Sequence, residues 1–416
     1  MKRCFFIFTM VLSSVVLFSC SEENESNEED VVQRTIVDLI PKKKSITLTD
    51  NQKTLMNNCN DFAFNLYRQV HNKTDSHVLS PLSVAFILSL INNGAEGTTS
   101  DEIMEVLGFN ESNKAEVNKF CANLIENAPN IDPNVQIYCA NALFVNKEYT
   151  LLSDFENDSR NYYQAEAKSL DFSDSSSADE INEWCREKTD GNIRYMLEKS
   201  DPSKIAYLLN AIFFKATWTD QFDPKHTRTE SFHREDGSTA QLPMMQRYAM
   251  ALVSYDDNYT SICLPYSSGA FNMYVLLPDK GCTTSQIVEN LNSESFNKMI
   301  ARTEKRKLQI KIPRFTASLN IDLKETLTQM GIKSLFTEQA ELPYITKQKL
   351  FISEIRHSAK IEVDEQGTKT AAVTMAEIAA TAAEPPKDFI ADRPFVYLIQ
   401  ENTSGAIFFI GTYMGD

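Results

Sequence analysis

Glycine is scarce in this 416-residue chain, at 12 residues. That scarcity argues against Gly-rich phosphate loops and β-solenoids. No segment reaches 18 apolar residues, so none reads as a membrane span. Positive charge is short as well: 41 basic against 57 acidic residues leave a formal charge of −16, which removes any electrostatic pull toward nucleic acid or anionic lipid. Of eight cysteines, none forms a CxxC pair, so zinc and thioredoxin-like readings fail. Beyond Cys4 and Cys20, the six that remain (Cys59, Cys121, Cys139, Cys185, Cys263, Cys282) read as buried free thiols; an exported chain could also oxidise them. There are five histidines, and no Gly-x-Ser-x-Gly elbow, His-Glu-x-x-His or P-loop accompanies them. His226 and His233 lie in a polar stretch and read as surface residues, and His357 as a hydrogen-bonded core residue. No metal, cofactor or catalytic group is expected, and nothing in these patterns supports an enzyme. What is present, 42% hydrophobic and 24% charged residues, is ordinary globular composition.

The first 19 residues carry Lys2 and Arg3, then an apolar run from Phe5 to Phe18. This is a signal peptide too short to span a bilayer. Leu17-Phe18-Ser19-Cys20 resembles a bacterial lipobox, in which the cysteine becomes the lipidated first residue; the alternative is a plain signal peptide with an incidental Cys20. Six acids fall within residues 21–30, so residues 20–45 are expected to form an acidic, flexible tether. Acids directly after a lipidated cysteine also resemble the surface-export signal of Bacteroidetes lipoproteins. The expectation is an exported lipoprotein of the outer membrane and cell surface, held to the membrane through Cys20.

Helical spacing marks 52–69, 81–92, 179–188 and 319–330, and Thr98 to Glu102 resemble a helix cap with acids in the first turn. Strand-like runs cover 137–145, 206–214, 260–264, 271–277, 307–312, 395–400 and 406–413. Helices come early and strands late without βαβ alternation, which is an α+β arrangement. No linker divides residues 46–416, so a single domain is expected.

Residues 364–394 are unusual. From Thr368 to Ala383 the chain is mostly alanine and threonine. Taken as a strand, the set Thr368, Thr370, Ala372, Thr374, Ala376, Ile378, Ala380 carries no charge and little bulk. Both charges, Lys369 and Glu377, fall on the opposite set with Ala371, Val373, Met375 and Ala379. One small, uncharged face on an otherwise unanchored segment suits a strand that slots into a crowded sheet.

With that segment, a series of motifs resembles the serpin family over residues 50–416. Ser80-Pro81-Leu82-Ser83 is similar to its shutter, and Gly94 to Thr99 and Leu107-Gly108-Phe109 follow in order. Asn141-Ala142-Leu143-Phe144 and Ile181-Asn182-Glu183-Trp184 with residues 188–193 resemble its strand and helix-F motifs. Asn210 to Trp218, Pro243-Met244-Met245 and Asp392-Arg393-Pro394-Phe395 complete the series. The resemblance implies three β-sheets, eight to nine helices and an exposed reactive loop at about 365–390. It implies a suicide-substrate inhibitor of serine, and possibly cysteine, proteases, acting as a monomer. The protease's nucleophile attacks the loop, and the loop then inserts into the central sheet and traps the acyl-enzyme.

By the same resemblance Ser80, Ser83, Asn210 and His357 form the shutter cluster. Trp218, Arg314 and Glu365 form the breach. Glu365, Gly367, Thr368, Thr370, Ala371 and Ala372 form the hinge. Fourteen residues beyond Gly367 lies Thr381, which places the scissile bond at Thr381–Ala382. Small uncharged residues there suit elastase-like or subtilisin-like proteases. Gln366 and Lys369-Thr370 depart from the usual inhibitory hinge, and the alternative is a non-inhibitory serpin acting as a binding module or a protease substrate.

Overall fold

A computed structural model describes residues 44–110, 112–366 and 388–416. The hinge from Gly367 to Ala372, the bond Thr381–Ala382, and Cys20 with its tether up to residue 43 lie outside the described residues.

The chain enters at α1 (Asp50–Val70), which is closed by a capping box between Thr49 and Gln52. Side-chain and backbone donors satisfy each other there, so the helix starts where the acidic tether gives way to apolar spacing. Next come β1 (His77–Leu79), the almost wholly buried α2 (Pro81–Asn93), α3 (Gly97–Leu107) and α4 (Lys114–Asn127). Further on lie β2 (Val135–Asn146), α5 (Ser153–Tyr163), β3 (Glu166–Leu170), α6 (Ser176–Lys188) and β4 (Ala206–Ala216). The second half holds β5 (Arg228–His233), β6 (Thr239–Tyr255), β7 (Tyr259–Tyr266), β8 (Phe271–Pro278), α7 (Thr284–Asn290) and α8 (Ser293–Ala301). It closes with β9 (Glu304–Pro313), β10 (Phe315–Asp322), α9 (Lys324–Met330), β11 (Glu354–Val363), β12 (Phe389–Ile390), β13 (Phe395–Glu401) and β14 (Ile407–Tyr413).

Hydrogen bonding joins these strands into two assemblies. A five-stranded sheet runs β10-β11-β4-β2-β3, and a nine-stranded one runs β1-β14-β13-β8-β7-β6-β9-β12 with β5 beside β6. Sheets counted separately in the resemblance are continuous in the second assembly because the 17-residue β6 pairs with β5 first and β7 last, and with β9 between. Among the described residues nine α-helices accompany them, the α+β arrangement that the resemblance implies.

The central sheet is buried on both faces. One face shares the main core with α2 and the larger assembly. The other carries a second apolar cluster under α6, where Trp184 meets Phe144 edge-on at 5.6 Å. Burial on both sides explains the near-continuous apolar run of β4, all but one of whose residues are buried.

Two local expectations are overturned. The helix expected over 319–330 is strand up to Asp322, because residues 315–322 pair in register with β11 from Val363 to Arg356. Tertiary pairing overrides helical spacing there. The cap expected at Thr98 is absent as well. The helix already begins at Gly97, whose φ of +52° turns the chain inward, and Thr98 N–H is taken by the distant Glu341 carboxylate at 2.7 Å. The acids Asp101 and Glu102 therefore fall past the first turn. Glu102 Oε2 instead accepts the Lys333 and Ser334 N–H groups and the Ser334 hydroxyl.

At Gly411 the backbone of β14 passes against β1. A Cβ there would land on the Tyr397 phenol and 2.6 Å from the His77 carbonyl. Gly411→Ala is expected to cost about 1–3 kcal/mol by overpacking, seen as a lower denaturation midpoint. An unchanged midpoint would contradict this packing.

Candidate functional site

Three polar side chains cross the middle of the apolar central sheet in one row. Parallel pairing of β11 with β4 sets His357 opposite Asn210, and antiparallel pairing of β4 with β2 sets Asn210 opposite Asn141. His357 Nδ1–H donates to Asn210 Oδ1 at 2.6 Å, and Asn210 Nδ2 donates to Asn141 Oδ1 at 2.7 Å. The N-terminal end of α2 closes the row from the core side. Ser83 Oγ donates to Asn210 Oδ1 at 2.7 Å, and Ser80 N–H donates to His357 Nε2 at 3.2 Å. All five residues are buried.

The row brings together every residue assigned to the shutter, with one refinement: Ser80 contributes its backbone N–H, while its hydroxyl has no partner among the described residues. Asn141, the first residue of the strand motif Asn141-Ala142-Leu143-Phe144, completes the row, although the resemblance did not assign it to the shutter. Its signal is an amide within the apolar stretch Ala140-Asn141-Ala142, the same pattern that surrounds Asn210. A buried amide needs partners, so two such residues on adjacent strands point to each other.

The breach lies where β11 ends. Trp218 Nε1–H donates to the Asp364 carbonyl at 2.8 Å. Its indole stacks on Tyr266 with ring centroids 4.2 Å apart, and Phe222 meets it edge-on. Glu365, whose side chain is only 7% exposed, accepts the Thr227 hydroxyl at 2.7 Å. Its backbone carbonyl accepts the Phe222 N–H at 3.0 Å. The Arg314 guanidinium stands 3.5 Å away and is half exposed. Arg314 and Glu365 do meet, but at that distance and exposure the pair is weak. Thr227 and the Phe222 N–H hold Glu365 more closely, and neither carried a motif. The structure thus places Asp364, near the end of the described residues before the loop, against an aromatic clamp.

His226 and His233 are exposed, and among the described residues no group of His, Cys, Asp and Glu could hold a metal ion. All six described cysteines are free, four of them buried.

Burial pushes the His357 imidazole down to about 3. The geometry requires the neutral ring, since a proton on Nε2 would face the Ser80 N–H, donor against donor. His71, where α1 ends, is also pushed down, to about 4, by burial first and then by the neighbouring His77. As pH falls below about 6.5 the unfolded chain binds protons that the folded chain refuses. Stability is therefore present above that pH and is lost at up to about 1.4 kcal/mol per pH unit for a group such as His357. Denaturation midpoints are expected to fall between pH 7.5 and pH 5. Equal midpoints would contradict a neutral, buried His357.

Residues 57–415 match the family described as Serpin (serine protease inhibitor). Wheat Serpin-Z2B (Triticum aestivum) is 34% identical over 372 residues, covering 84% of this chain and 93% of that protein. Mouse Alpha-1-antitrypsin 1-4 (Mus musculus) is 32% identical over 362 residues, covering 85% and 87%. Among solved structures, human thyroxine-binding globulin superposes with a TM-score of 0.80 at 30% identity, covering 87% of this chain and 98% of that one. Native protease nexin-1 with heparin gives 0.80 at 27%, covering 88% and 100%. With the fold, the shutter row and the breach in place, the chain belongs to the serpin family.

Proposed function

We propose that this serpin is a suicide-substrate inhibitor of serine proteases, with cysteine proteases as further targets. The observation that carries the reading is the junction of β11 with β4. These two strands pair directly and in parallel from Glu354–Tyr207 to Ile361–Phe214, and the loop that begins at residue 367 follows the end of β11. A strand continuing from β11 through a reversal would run antiparallel to both neighbours. One parallel ladder would then be exchanged for two antiparallel ones, which are better aligned and twice as many. The uninserted form therefore holds free energy in reserve, and cleavage of the loop releases it.

The sequence of the loop suits that exchange. The alternate set from Thr368 to Ala380 is small and uncharged, and a charge carried into a packed sheet would have no partner. The protease supplies the nucleophile; the serpin supplies the bond, proposed as Thr381–Ala382, and no catalytic residue. A small residue before the bond suits the shallow pockets of elastase-like and subtilisin-like enzymes. A carboxylate-lined pocket finds no Arg or Lys between Lys369 and Lys387.

A second reading has its own observations. Lys369-Thr370 and Gln366 depart from the usual inhibitory hinge, and thyroxine-binding globulin, a relative with this fold, was solved with thyroxine bound. In that reading the chain is a binding module whose loop is merely cut.

Electrophoresis in SDS after incubation with an elastase separates the two readings. A covalent complex is expected from wild type, and clean cleavage without complex would overturn the inhibitory reading. Ala372→Arg should raise severalfold the serpin needed per protease trapped. Thr381→Arg should bring trypsin in at a rate at least about tenfold above wild type.

Anchoring through Cys20 is proposed as well, from the lipobox and the acidic tether that follows it. Cys20→Ala is expected to leave a soluble protein that inhibits as wild type does. A variant that still sediments with membranes would refute lipidation at Cys20.

A further inference from the structure

A cavity of about 530 Å³ opens at an edge of the central sheet, within the size range of small-molecule sites. Strand β10 ends the strand order there and has no strand beyond it among the described residues. Register assigns the walls. Ser358 and Lys360 of β11 stand opposite Ala211 and Phe213 of β4, which belong to the apolar cluster under α6. Their antiparallel partners on β10 are Asn320 and Ser318. The segment after α6 lies over this face, tied down by Asn320 Nδ2, which donates to the Tyr195 carbonyl at 3.2 Å. Alternation along β10 gives its other face Leu319 and Ile321, which line the same cavity with Val70 from the end of α1 and pack on the main core. The space therefore bends around a sheet edge, polar on one side and apolar on the other.

The polar side carries unspent binding capacity. Ser358 is only 5% exposed, yet its hydroxyl makes no hydrogen bond among the described residues. Buried hydroxyls ordinarily have partners. Arg194 lines the same space without a carboxylate partner among the described residues; its Nε donates to the Gly191 carbonyl at 3.3 Å. An unpaired guanidinium stands out in a chain of net charge −16. Lys360 adds a second cation, shared with Glu362 at 3.0 Å. Tyr195, also in the lining, is 75% exposed, which leaves its ring free to stack. The acid of the lining, Asp75, follows α1 and accepts the Asn72 amide at 2.8 Å and the Thr74 hydroxyl at 3.0 Å.

We propose that this cavity binds a small aromatic anion, a carboxylate or sulfonate on a body of two or three rings. Its anionic group lies against Arg194 and Lys360 and accepts the Ser358 hydroxyl. Guanidinium and hydroxyl donors match the oxygens of such a group. The rings lie against Tyr195, Leu319 and Ile321. Asp75 repels the anion from the apolar side and so sets which end enters first. None of these residues belongs to the shutter, the breach or the loop, and the proposal stands whether or not the chain traps proteases.

The probe is 8-anilinonaphthalene-1-sulfonate, with N-phenyl-1-naphthylamine, the same ring body without the sulfonate, as its neutral counterpart. Fluorescence titration of the intact protein is expected to show one saturable site for the sulfonate. Arg194→Glu should weaken that site about tenfold, and Arg194→Lys should restore most of the loss. Affinity for the neutral probe should be the same in all three proteins. Ser318→Trp, at an exposed position of β10, should fill the cavity and abolish the site. The sulfonate should raise the thermal denaturation midpoint of wild type and leave that of Ser318→Trp unchanged. Should Ser318→Trp not fold, Arg194→Glu, at another exposed position, still decides. Equal affinity of wild type and Arg194→Glu for the sulfonate would overturn the proposal. So would unsaturable binding, or equal affinity for the two probes, either of which would assign the signal to general apolar surface.

Discussion

One hydrogen-bonded row governs this molecule: His357 to Asn210 to Asn141, at 2.6 and 2.7 Å, with the start of α2 pressed against it. It crosses three strands where both faces of the sheet are apolar. Its members bond one another and the start of α2, with Asn141 also donating to the Tyr163 carbonyl at 3.4 Å, so the row is strong while assembled and costly in any half-open state. The strands it ties, β11 and β4, form a parallel ladder inside the central sheet. The row therefore acts as a catch at the seam. It holds the two strands together below the point where the loop departs, and it imposes an all-or-none character on any separation.

At the upper end of the same seam the balance differs. There the clamp is aromatic, with Trp218 stacked on Tyr266 and its indole nitrogen bonded to the Asp364 carbonyl. The ion pair beside it is long and half exposed, and Glu365 relies on a hydroxyl and on a backbone amide that it faces through its own carbonyl. Stacking tolerates small sliding motions in a way that a network of buried donors and acceptors does not. The seam is thus easier to part at the top than in the middle, the order that a strand fed from the end of β11 would require.

Much of this was legible in the sequence, for reasons that differ by element. The buried strands β4, β8, β13 and β14 announce themselves as apolar runs, since a sheet covered on both faces leaves no polar alternation. His357 reads as a core residue from the alternation of residues 350–357, and the resemblance assigns it with Asn210 to the shutter. Asn141 is legible as part of a strand motif, but its place in the row is not, because one amide in a strand names no partner until the register is known. The strand Phe315–Asp322 was hidden by helical spacing that continues into α9, and only its ladder with β11 decides the matter. Thr227 and Glu341 act on residues more than a hundred positions away. Contacts of that range leave no local trace in composition or period.

The six described cysteines are all unpaired, and burial pushes the thiols of Cys121, Cys139, Cys185 and Cys263 up to about 12. At neutral pH roughly one such thiol in 10⁵ is ionised, too few for ready disulfide exchange. Cys139 lies on β2 of the central sheet and Cys185 on the helix above it, yet no covalent staple joins sheet to helix. The rearrangement proposed for the loop would therefore break no disulfide among the described residues.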